Sequence, residues 1–249
     1  MEALRTEHIT RSFSGKTIIR DISIRLMDHE LVSLLGVSGA GKTTLFNVIS
    51  GILPPDEGGV YLHGEDVTGR PGRISYMRQK DLLLEHLKMI DNVSLPLRLG
   101  GMKKKEAREK ADPLFEAFGL QGTQMLYPAE LSGGMRQRAA LLRTYLGSSG
   151  VALLDEPFSA LDMITKGQMH GWYLDIMEKI GLSTLFITHD VDEAVMLSDR
   201  IYIMTGSPGR IRHEIVIRQP RNERSEFDLT PEFLAYKKEI LQILKGTDS

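Results

Sequence analysis

The stretch LVSLLGVSGAGKTTLFNVIS, residues 31–50, decides the fold class of this 249-residue chain. It opens with the apolar run Leu31–Leu35, which is typical of a buried strand. Gly36–Thr43 follows directly, fits the pattern G-x-x-x-x-G-K-[ST], and leads into a helix-like segment. A strand, a glycine-rich turn and a helix in this order predict a phosphate-binding loop in an α/β protein.

The spacing of this loop has a chemical reason. Its glycines let consecutive backbone N–H groups turn toward one phosphate, and the positive end of the following helix adds to the attraction. Lys42 can reach the β- and γ-phosphates of a nucleotide, and the Thr43 hydroxyl can ligate Mg²⁺. Two other glycine motifs fail, because a G-x-S-x-G elbow needs glycine at Ala40 and a dinucleotide fingerprint needs glycine at Thr44. The sequence therefore predicts a nucleotide-binding protein.

Four further short apolar runs predict buried strands. Helical patterns alternate with several of them, which indicates a largely parallel sheet in an α/β core. The segment Ile18–Leu26 alternates apolar and polar residues, which favours a half-buried strand at an antiparallel edge. The four predicted strands are Val151–Leu154, Thr184–Thr188, Ile201–Met204 and Ile215–Ile217.

Composition limits the function. The chain has 31 basic and 33 acidic side chains, so no global positive field favours nucleic acid. It has no cysteine, which excludes a disulfide scaffold and suits a reducing compartment. Neither an apolar signal-peptide core nor a run of about 18 apolar residues is present. We therefore expect a cytoplasmic protein that does not span a membrane by itself.

Two adjacent acids, Asp155 and Glu156, follow the predicted strand Val151–Leu154. Because ligands of parallel sheets bind beyond the carboxyl ends of the strands, this strand can bring its acids to the phosphate loop. Asp155 suits the coordination sphere of Mg²⁺. Glu156 is expected to point elsewhere, since successive strand residues alternate, and to deprotonate an attacking water.

The segment Leu131–Arg138, LSGGMRQR, adds a second candidate anion site. Ser132 is a natural N-cap for a helix over Met135–Leu146. One chain offers no obvious second phosphate for this Ser-Gly-Gly helix start. We therefore expect a head-to-tail dimer with two-fold symmetry, in which each helix start closes on the nucleotide of the other chain.

Over about residues 1–220 these features together resemble the ATP-binding cassette (ABC) ATPases. Gly36–Thr43 resembles their Walker A motif, Val151–Glu156 their Walker B motif and Leu131–Gly134 their signature. Three further matches lie in the expected order: Gln79 resembles the Q-loop, Ser159–Asp162 (Ser159, Ala160, Leu161 and Asp162) the D-loop and His189 the switch histidine. Phe13 lies where the family stacks an aromatic ring on adenine.

The resemblance implies a P-loop NTPase (RecA-like) core with a mainly parallel sheet, an antiparallel β edge and an inserted helical subdomain. It places the ATPase domain at residues 1–220, with the core at about 1–80 and 148–220 and the helical subdomain at about 81–147. Residues 221–249 form a C-terminal helical tail. Thr230 and Pro231 predict the start of its helix, which we expect to pack on its own domain.

The resemblance also implies the cofactors, ATP and Mg²⁺, and the site residues. Lys42, Glu156 and His189 are expected to be catalytic, and Thr43, Gln79 and Asp155 to hold Mg²⁺. Met135, Lys166 and Arg78 depart from the commonest family pattern without removing a group that catalysis obviously needs. The expected ATP contacts are Phe13, Gly36, Val37, Ser38, Gly39, Ala40, Gly41, Lys42, Thr43, Thr44, Gln79, Ser132, Gly133, Gly134 and Asp162.

Three tasks are compatible with a phosphate loop of this kind. The first is that of a small-molecule kinase, which is disfavoured because such kinases lack the LSGG helix and the switch histidine that this chain has. DNA-repair cassettes carry a long coiled coil, for which the roughly fifty residues between Gln79 and Leu131 are too few, and translational cassettes usually come in pairs within one chain. A soluble ABC ATPase acting on DNA or ribosomes is kept as the alternative to transport.

The favoured task is that of the ATP-hydrolysing subunit of a membrane importer. Residues 82–90 are more apolar than a solvent-facing loop should be, and in relatives a permease helix docks here; we expect about half of these side chains to fill the subdomain core instead. Met204–Ile211 and Pro231–Leu234 resemble the nitrate, taurine and alkanesulfonate importer ATPases, and thiamine-precursor importers belong to the same group.

This interpretation also predicts the partners and the location. The chain is expected to form a homodimer, or a pair with another cassette, bound to integral-membrane permease subunits. An extracytoplasmic solute-binding protein is expected to deliver the cargo, and no nucleic acid is expected as a partner. The complex would hold the chain peripherally on the inner face of the cell membrane.

Overall fold

The computed structural model describes residues 1–159 and 161–246 and contains two sheets. The first sheet is antiparallel, and its strands are ordered β2-β1-β4-β5. Its edge strand β2 alternates buried and exposed residues along most of its length, as the sequence predicts. The strands are β1 (Glu2–Phe13), β2 (Lys16–Met27), β4 (Glu57–Leu62) and β5 (Glu65–Asp66).

The second sheet has six strands in the order β10-β9-β3-β8-β7-β6. All neighbours are parallel except β10, which runs antiparallel to β9. Because β3 lies between β8 and β9, the carboxyl ends of the central strands meet beside the phosphate loop. The strands are β3 (Leu31–Gly36), β6 (Ser75–Met77), β7 (Val151–Asp155), β8 (Ser183–Thr188), β9 (Arg200–Thr205) and β10 (Arg210–Val216).

The predicted strand Ile215–Ile217 needs a correction. Strand β10 begins at Arg210, ends at Val216 and is largely exposed, with Val216 facing solvent between two buried isoleucines. The reason is its place at the edge of the sheet, where only one face is covered. The alternation there is that of a half-buried antiparallel strand, whereas β3, β7 and β8 are buried throughout.

Helices cover both faces of the second sheet, and the segment between β6 and β7 contains helices α2 to α6 joined by loops. Within this segment Gly119, at φ +66, follows the end of a short helix, as a C-cap glycine should. The helices are α1 (Lys42–Ile49), α2 (Met89–Val93), α3 (Leu95–Leu99), α4 (Lys104–Ala111), α5 (Leu114–Ala117), α6 (Gly133–Leu146), α7 (Met163–Ile180), α8 (Val191–Leu197) and α9 (Pro231–Lys245), with short 3₁₀ turns at Pro128–Glu130, Arg221–Glu223 and Phe227–Leu229. In the part of the chain described here, no helix is both long and apolar enough to cross a membrane.

Three apolar clusters form the core. One joins α2, α4, α5, α6 and α7 to one face of the second sheet. Another joins α1 to the opposite face, which is shared with the antiparallel sheet. The third joins α8 and α9 to β9 and β10, with Phe233 and Ile240 buried in it. Thr230 caps α9 by accepting a hydrogen bond from the Phe233 N–H, so the tail helix starts at the predicted residue and packs on its own chain.

A buried arginine fastens the segment before α9 to the rest of the molecule. Arg224 is 1% exposed, and its guanidinium donates hydrogen bonds to the carbonyl oxygens of Met196, Ser198 and Gln219. Burial lowers its pKa to about 10, and the Asp199 carboxylate opposes that shift. These carbonyl contacts satisfy the guanidinium N–H donors, which are costly to bury unpaired.

Candidate functional site

The phosphate loop lies between β3 and α1. Gly41 is the N-cap of α1 and has φ +95, a conformation that residues with a side chain rarely adopt. A Cβ at this position would also lie 2.6 Å from Cγ2 of Ile19 on β2. Both facts require glycine here. Because α1 begins directly after Gly41, the free N–H groups of its first turn point into the loop.

The loop forms one wall of an open cleft of about 580 Å³. Residues that follow β7 and β8 form part of the opposite wall, because these strands end at the same edge of the sheet as β3. The cleft is lined by Ile18, Ser38, Gly39, Gly41, Lys42, Thr43, Thr44, Glu156, Ile187 and His189.

The Lys42 side chain folds back onto its own loop. Its Nζ donates hydrogen bonds to the carbonyl oxygens of Gly36 at 2.7 Å and Val37 at 2.9 Å. Burial lowers the pKa of Lys42, while the carboxylates of Glu156 and Asp155 act in the opposite direction. A cation held this way offers a charge for an anionic ligand at the mouth of the loop.

Glu156 connects His189, which also lines the cleft, to Gln79, which does not line it. Its Oε1 lies 3.0 Å from Nδ1 of His189, and its Oε2 accepts a hydrogen bond from Nε2 of Gln79 at 3.1 Å. Gln79 Nε2 also lies 3.4 Å from Oγ of Ser159. The Q-loop, Walker B and switch residues identified in the sequence therefore meet on one carboxylate.

Asp155 lies at the end of β7 and is almost completely buried. Burial raises its pKa, and the hydroxyl of Tyr76 counteracts that shift by donating a hydrogen bond to Oδ2 at 3.0 Å. Burial also raises the pKa of Tyr76, so the phenol stays neutral. Burial destabilises the charged form of this carboxylate, and a bound cation would stabilise it, so Asp155 is suited to hold one.

The signature segment lies on a different part of the surface. Ser132 is exposed and caps α6, because its Oγ accepts a hydrogen bond from the Met135 N–H at 3.4 Å. The cap is the predicted residue, but the helix begins at Gly133, two residues before the predicted start at Met135, because the residue after an N-cap is already helical. None of the described signature residues 132–134 is among those that line the cleft.

The D-loop provides the cap of the next helix. Asp162 Oδ1 accepts a hydrogen bond from the Thr165 N–H at 3.1 Å at the start of α7. Ala160, which the sequence places in the same motif, lies outside the described residues. One turn into the helix, Lys166 Nζ lies 2.5 Å from Oδ2 of Asp190, the residue after the switch histidine.

Phe13 lies at the end of β1 and is 41% exposed. It is not among the residues that line the cleft, and the guanidinium of Arg11 lies 5.0 Å from the centre of its ring. An exposed ring beside a cation is available for stacking. Its adenine contact stays a prediction.

Sequence reasoning missed the contacts that join the Q-loop segment to α6. Arg136 donates hydrogen bonds to the carboxylates of Asp81 and Glu85, and Arg143 donates to the carbonyl oxygens of Asp81 and Leu82. Burial alone would raise the pKa of Asp81, but the Arg136 hydrogen bond and its charge lower it. Arg136 and Arg143 are seven residues apart, so both lie on the same face of α6, and this spacing could have indicated a shared contact surface.

A second missed contact joins α6 to the residue after the acid pair. Gln137 Nε2 donates a hydrogen bond to the carbonyl oxygen of Pro157, and both residues are buried. The helix that carries the signature is thus bonded both to the Q-loop segment and to the end of the Walker B segment.

Comparisons with known proteins agree with this arrangement. The family model described as ABC transporter matches residues 19–159. The formylaminopyrimidine import ATP-binding protein ThiZ of Halalkalibacterium halodurans is 45% identical over 83% of this chain and 81% of its own length. The nitrate import ATP-binding protein NrtD of Synechocystis sp. is 36% identical over 99% of this chain and 96% of its own.

Further similarity comes from the taurine import ATP-binding protein TauB of Escherichia coli K12, which is 33% identical over 96% of this chain and 95% of its own. Among solved structures, the ATP-binding cassette MJ0796, in a dimeric post-hydrolysis state bound to ADP and Pi, superimposes with a TM-score of 0.73. It is 26% identical, and the match covers 87% of this chain and all of that one. The chain therefore belongs to the ABC transporter family and is one of its ATP-hydrolysing cassettes.

Proposed function

We propose that this ATPase is the energy-coupling subunit of a membrane importer for a small solute of the nitrate, taurine or formylaminopyrimidine kind. The main observation is that Lys42, Glu156 and His189 line one cleft. Gln79 and His189 both hydrogen-bond the Glu156 carboxylate there. The importer task is supported by relatives named for import that match nearly the whole chain.

ATP is proposed to bind with its phosphates in the loop Gly36–Thr44. The exposed backbone of Val37, Ser38 and Gly39, together with the start of α1, offers N–H donors to the β-phosphate, and Lys42 moves from the loop carbonyls onto the β- and γ-phosphates. Phe13 is proposed to stack on adenine, because its ring is exposed at the end of β1.

The donor set fits Mg²⁺. The described residues contain no group of three or more His, Cys, Asp or Glu that could hold a metal ion, so the protein itself offers few charged ligands. This suits a cation that arrives with nucleotide phosphates and takes only one or two carboxylates. Thr43, Gln79 and Asp155 are the residues proposed to hold it, and when bound it neutralises charge on the β- and γ-phosphates.

Glu156 is proposed to be the general base for water attack on the γ-phosphate. Its carboxylate faces the cleft and is held on one side by Gln79 and on the other by His189. On deprotonation the water's proton passes to Glu156, and His189 hydrogen-bonds the γ-phosphate. This arrangement orients the nucleophile and stabilises the developing charge.

The second half of each site is proposed to come from another copy of the chain. Ser132 and Gly133 lie exposed at the start of α6, Gly134 beside them is half-buried, and all three lie outside the cleft of their own chain. In a head-to-tail dimer these N–H groups and those near Asp162 would close on the ATP held by the partner's phosphate loop. ATP affinity for the closed dimer would then supply the free energy for transport.

The permease is proposed to dock on the segment after the Q-loop. Leu82 and Leu84 are 53% and 37% exposed, whereas Leu83, Met89 and Ile90 are buried in the subdomain core. Residues 82–90 contain six apolar side chains, and three of them are buried in the core, which agrees with the expectation of about half. The exposed leucines remain for a membrane partner, which would place the chain on the cytoplasmic face of the membrane.

For domain limits, we propose an ATPase domain at 1–220 with its core at about 1–80 and 148–220. The helical subdomain at about 81–147 is supported by the run of short helices α2 to α6. The tail at 221–249, described to residue 246, is proposed to close the core, because Phe233 and Ile240 are buried against α8 and the sheet.

The test is solute uptake in cells that carry Glu156→Gln at the chromosomal locus. We expect uptake of one labelled solute among nitrate, taurine and formylaminopyrimidine to be lost. The control is Glu109→Gln, an exposed substitution on α4, which should leave uptake unchanged. Unchanged uptake of all three solutes, together with slowed ribosome assembly or DNA repair, would contradict the importer function.

A further inference from the structure

Tyr76 links the strand that precedes the Q-loop to Asp155 and to the helix that follows the phosphate loop. It lies in the middle of β6, a three-residue strand at the edge of the sheet that pairs with β7 and ends two residues before Gln79. Its hydroxyl donates a hydrogen bond to Oδ2 of Asp155 at 3.0 Å. Its ring meets the ring of Phe46 on α1 edge to face, with centroids 5.9 Å apart at 77°.

The strand register explains why these groups meet. Tyr76 lies opposite Leu153 of β7, and Asp155, two residues further along β7, lies on the same face as Leu153. A long side chain on β6 can therefore reach Asp155 diagonally. Phe46 packs on that same face, in the cluster that contains Leu153. The hydroxyl of Tyr76 thus bonds Asp155 while its ring is fixed by the helix that follows the phosphate loop.

Core packing alone does not call for this hydroxyl. A phenylalanine at position 76 would keep the contact with Phe46 and would remove a polar atom from a half-buried site, where such atoms cost free energy unless hydrogen-bonded. Among the residues that the structure describes, the hydroxyl hydrogen-bonds to Asp155 alone. A neutral phenol, which donates and carries no charge, restricts the rotation of the carboxylate without neutralising it.

We propose that Tyr76 is a positioning residue for Asp155: its hydroxyl fixes one carboxylate oxygen and so orients the acid toward the divalent cation of the bound nucleotide. This inference rests on the proposed function, in which Asp155 helps to hold that cation. Groups that orient a metal ligand in this way typically contribute about 10- to 100-fold to metal affinity.

The experiment measures Mn²⁺ affinity by electron paramagnetic resonance in the Glu156→Gln background with saturating ATP, so that hydrolysis does not interfere. Tyr76→Phe is expected to weaken Mn²⁺ binding about 10-fold. Tyr202→Phe is the matched control, because it removes a hydroxyl on β9, toward the other edge of the same sheet, that accepts hydrogen bonds from the Arg25 N–H and from Nη1 of Arg200. The control should bind Mn²⁺ as the background does.

Asp155→Asn separates the inference from the function on which it rests. If Asp155→Asn weakens Mn²⁺ binding and Tyr76→Phe matches Tyr202→Phe, the positioning role is wrong while the role of Asp155 stands. If Asp155→Asn leaves Mn²⁺ binding unchanged, both are wrong. Steady-state ATPase with native Glu156 gives an independent readout: Tyr76→Phe should raise the Mg²⁺ concentration for half-maximal rate and recover kcat at saturating Mg²⁺.

Discussion

At the scale of single residues, Glu156 has a backbone conformation that strands do not use. It follows the last residue of β7 with φ +47, in the left-handed region where a residue with a side chain pays about 1–3 kcal/mol. The turn brings the carboxylate to Gln79 and His189. Side-chain alternation along the strand cannot anticipate this orientation, because the strand conformation has ended one residue earlier.

Glu156→Gln tests the proposed general base. We expect ATP binding to persist, since the phosphate loop is unchanged, and turnover to fall at least about 100-fold, because an amide cannot accept the water's proton. A closed dimer should accumulate with ATP. Phosphate release and size-exclusion chromatography with ATP measure both effects. Turnover at the normal rate would remove Glu156 from this role.

Gly209 supports the phosphate loop from a distant part of the sequence. Its N–H donates a hydrogen bond to the carbonyl oxygen of Ile18 at 2.8 Å, and its own carbonyl oxygen accepts one from the Arg20 N–H at 3.0 Å. A Cβ at position 209 would overlap the carbonyl oxygen of Ala40 in the loop. Only glycine allows the two backbones to approach this closely.

Gly209→Ala is expected to weaken ATP binding several-fold, because the loop backbone around Ala40 must shift to admit the methyl group. Isothermal titration calorimetry with ATP measures this effect. Gly171→Ala on α7 is the control, since a Cβ there meets no atom within 4 Å, and its ATP affinity should be that of the wild type. Equal affinity of the two variants would contradict the close approach.

At the scale of elements, an ion pair joins α2 to α4. The carboxylate of Asp91 accepts hydrogen bonds from Nε of Arg108 at 2.8 Å and from Nη2 at 2.7 Å, and Lys104 Nζ lies 3.4 Å away. The Arg108 hydrogen bond lowers the pKa of Asp91. This two-point pairing sets the angle between two short helices that have few residues to pack.

The sign of the pH dependence follows from that shift. Because the pKa of Asp91 is lower in the folded chain, its stabilisation is present above the ordinary aspartate pKa of about 3.9 and is lost as pH falls through the folded value. Asp91→Asn should therefore cost about 2 kcal/mol at pH 7 and less at pH 3, where part of the stabilisation has already been lost. Urea unfolding at both pH values measures the difference.

Glu109→Gln, which removes an exposed ion pair with Lys105 on the same helix, serves as the control for this comparison. It should change the free energy of unfolding by less than about 0.5 kcal/mol at either pH. A loss in Asp91→Asn that is the same at pH 7 and pH 3 would contradict a contribution from the charged pair.

At the scale of the whole molecule, the two candidate phosphate-contacting surfaces are separated. Lys42 lies in the cleft at the end of the sheet, and Ser132 caps α6 outside it. The Q-loop segment is bonded to α6 through Arg136 and Arg143, so a shift of the signature helix would move the exposed leucines proposed to meet the permease. These contacts would link the proposed dimer closure mechanically to the proposed docking of the permease.

Mixing two inactive variants tests the shared site. Lys42→Ala and Ser132→Arg should each have little ATPase activity alone. In a mixed head-to-tail dimer, one site combines the intact loop of one copy with the intact signature of the other, so activity should partly recover. The assay is phosphate release after co-refolding or co-expression. No recovery, with mixed dimers present, would contradict a site built from two chains.

The amino-acid sequence alone determined the elements whose signals are local. The buried runs became β3, β7, β8 and β9, and the caps at Ser132 and Thr230 lie where short-range hydrogen-bonding rules put them. The phosphate loop needs only consecutive residues, so its position was predictable as well. Family membership, confirmed by the comparisons, follows from the order of such motifs.

The tertiary structure alone decided the contacts between residues far apart in the chain. The bond from Tyr76 to Asp155, the approach of Gly209 to the phosphate loop and the burial of Arg224 depend on strand register and on which segments the sheet brings together. These pairings have no period and no fixed spacing. The groups involved become neighbours only after the sheet has formed. No local pattern in the sequence therefore predicts these contacts.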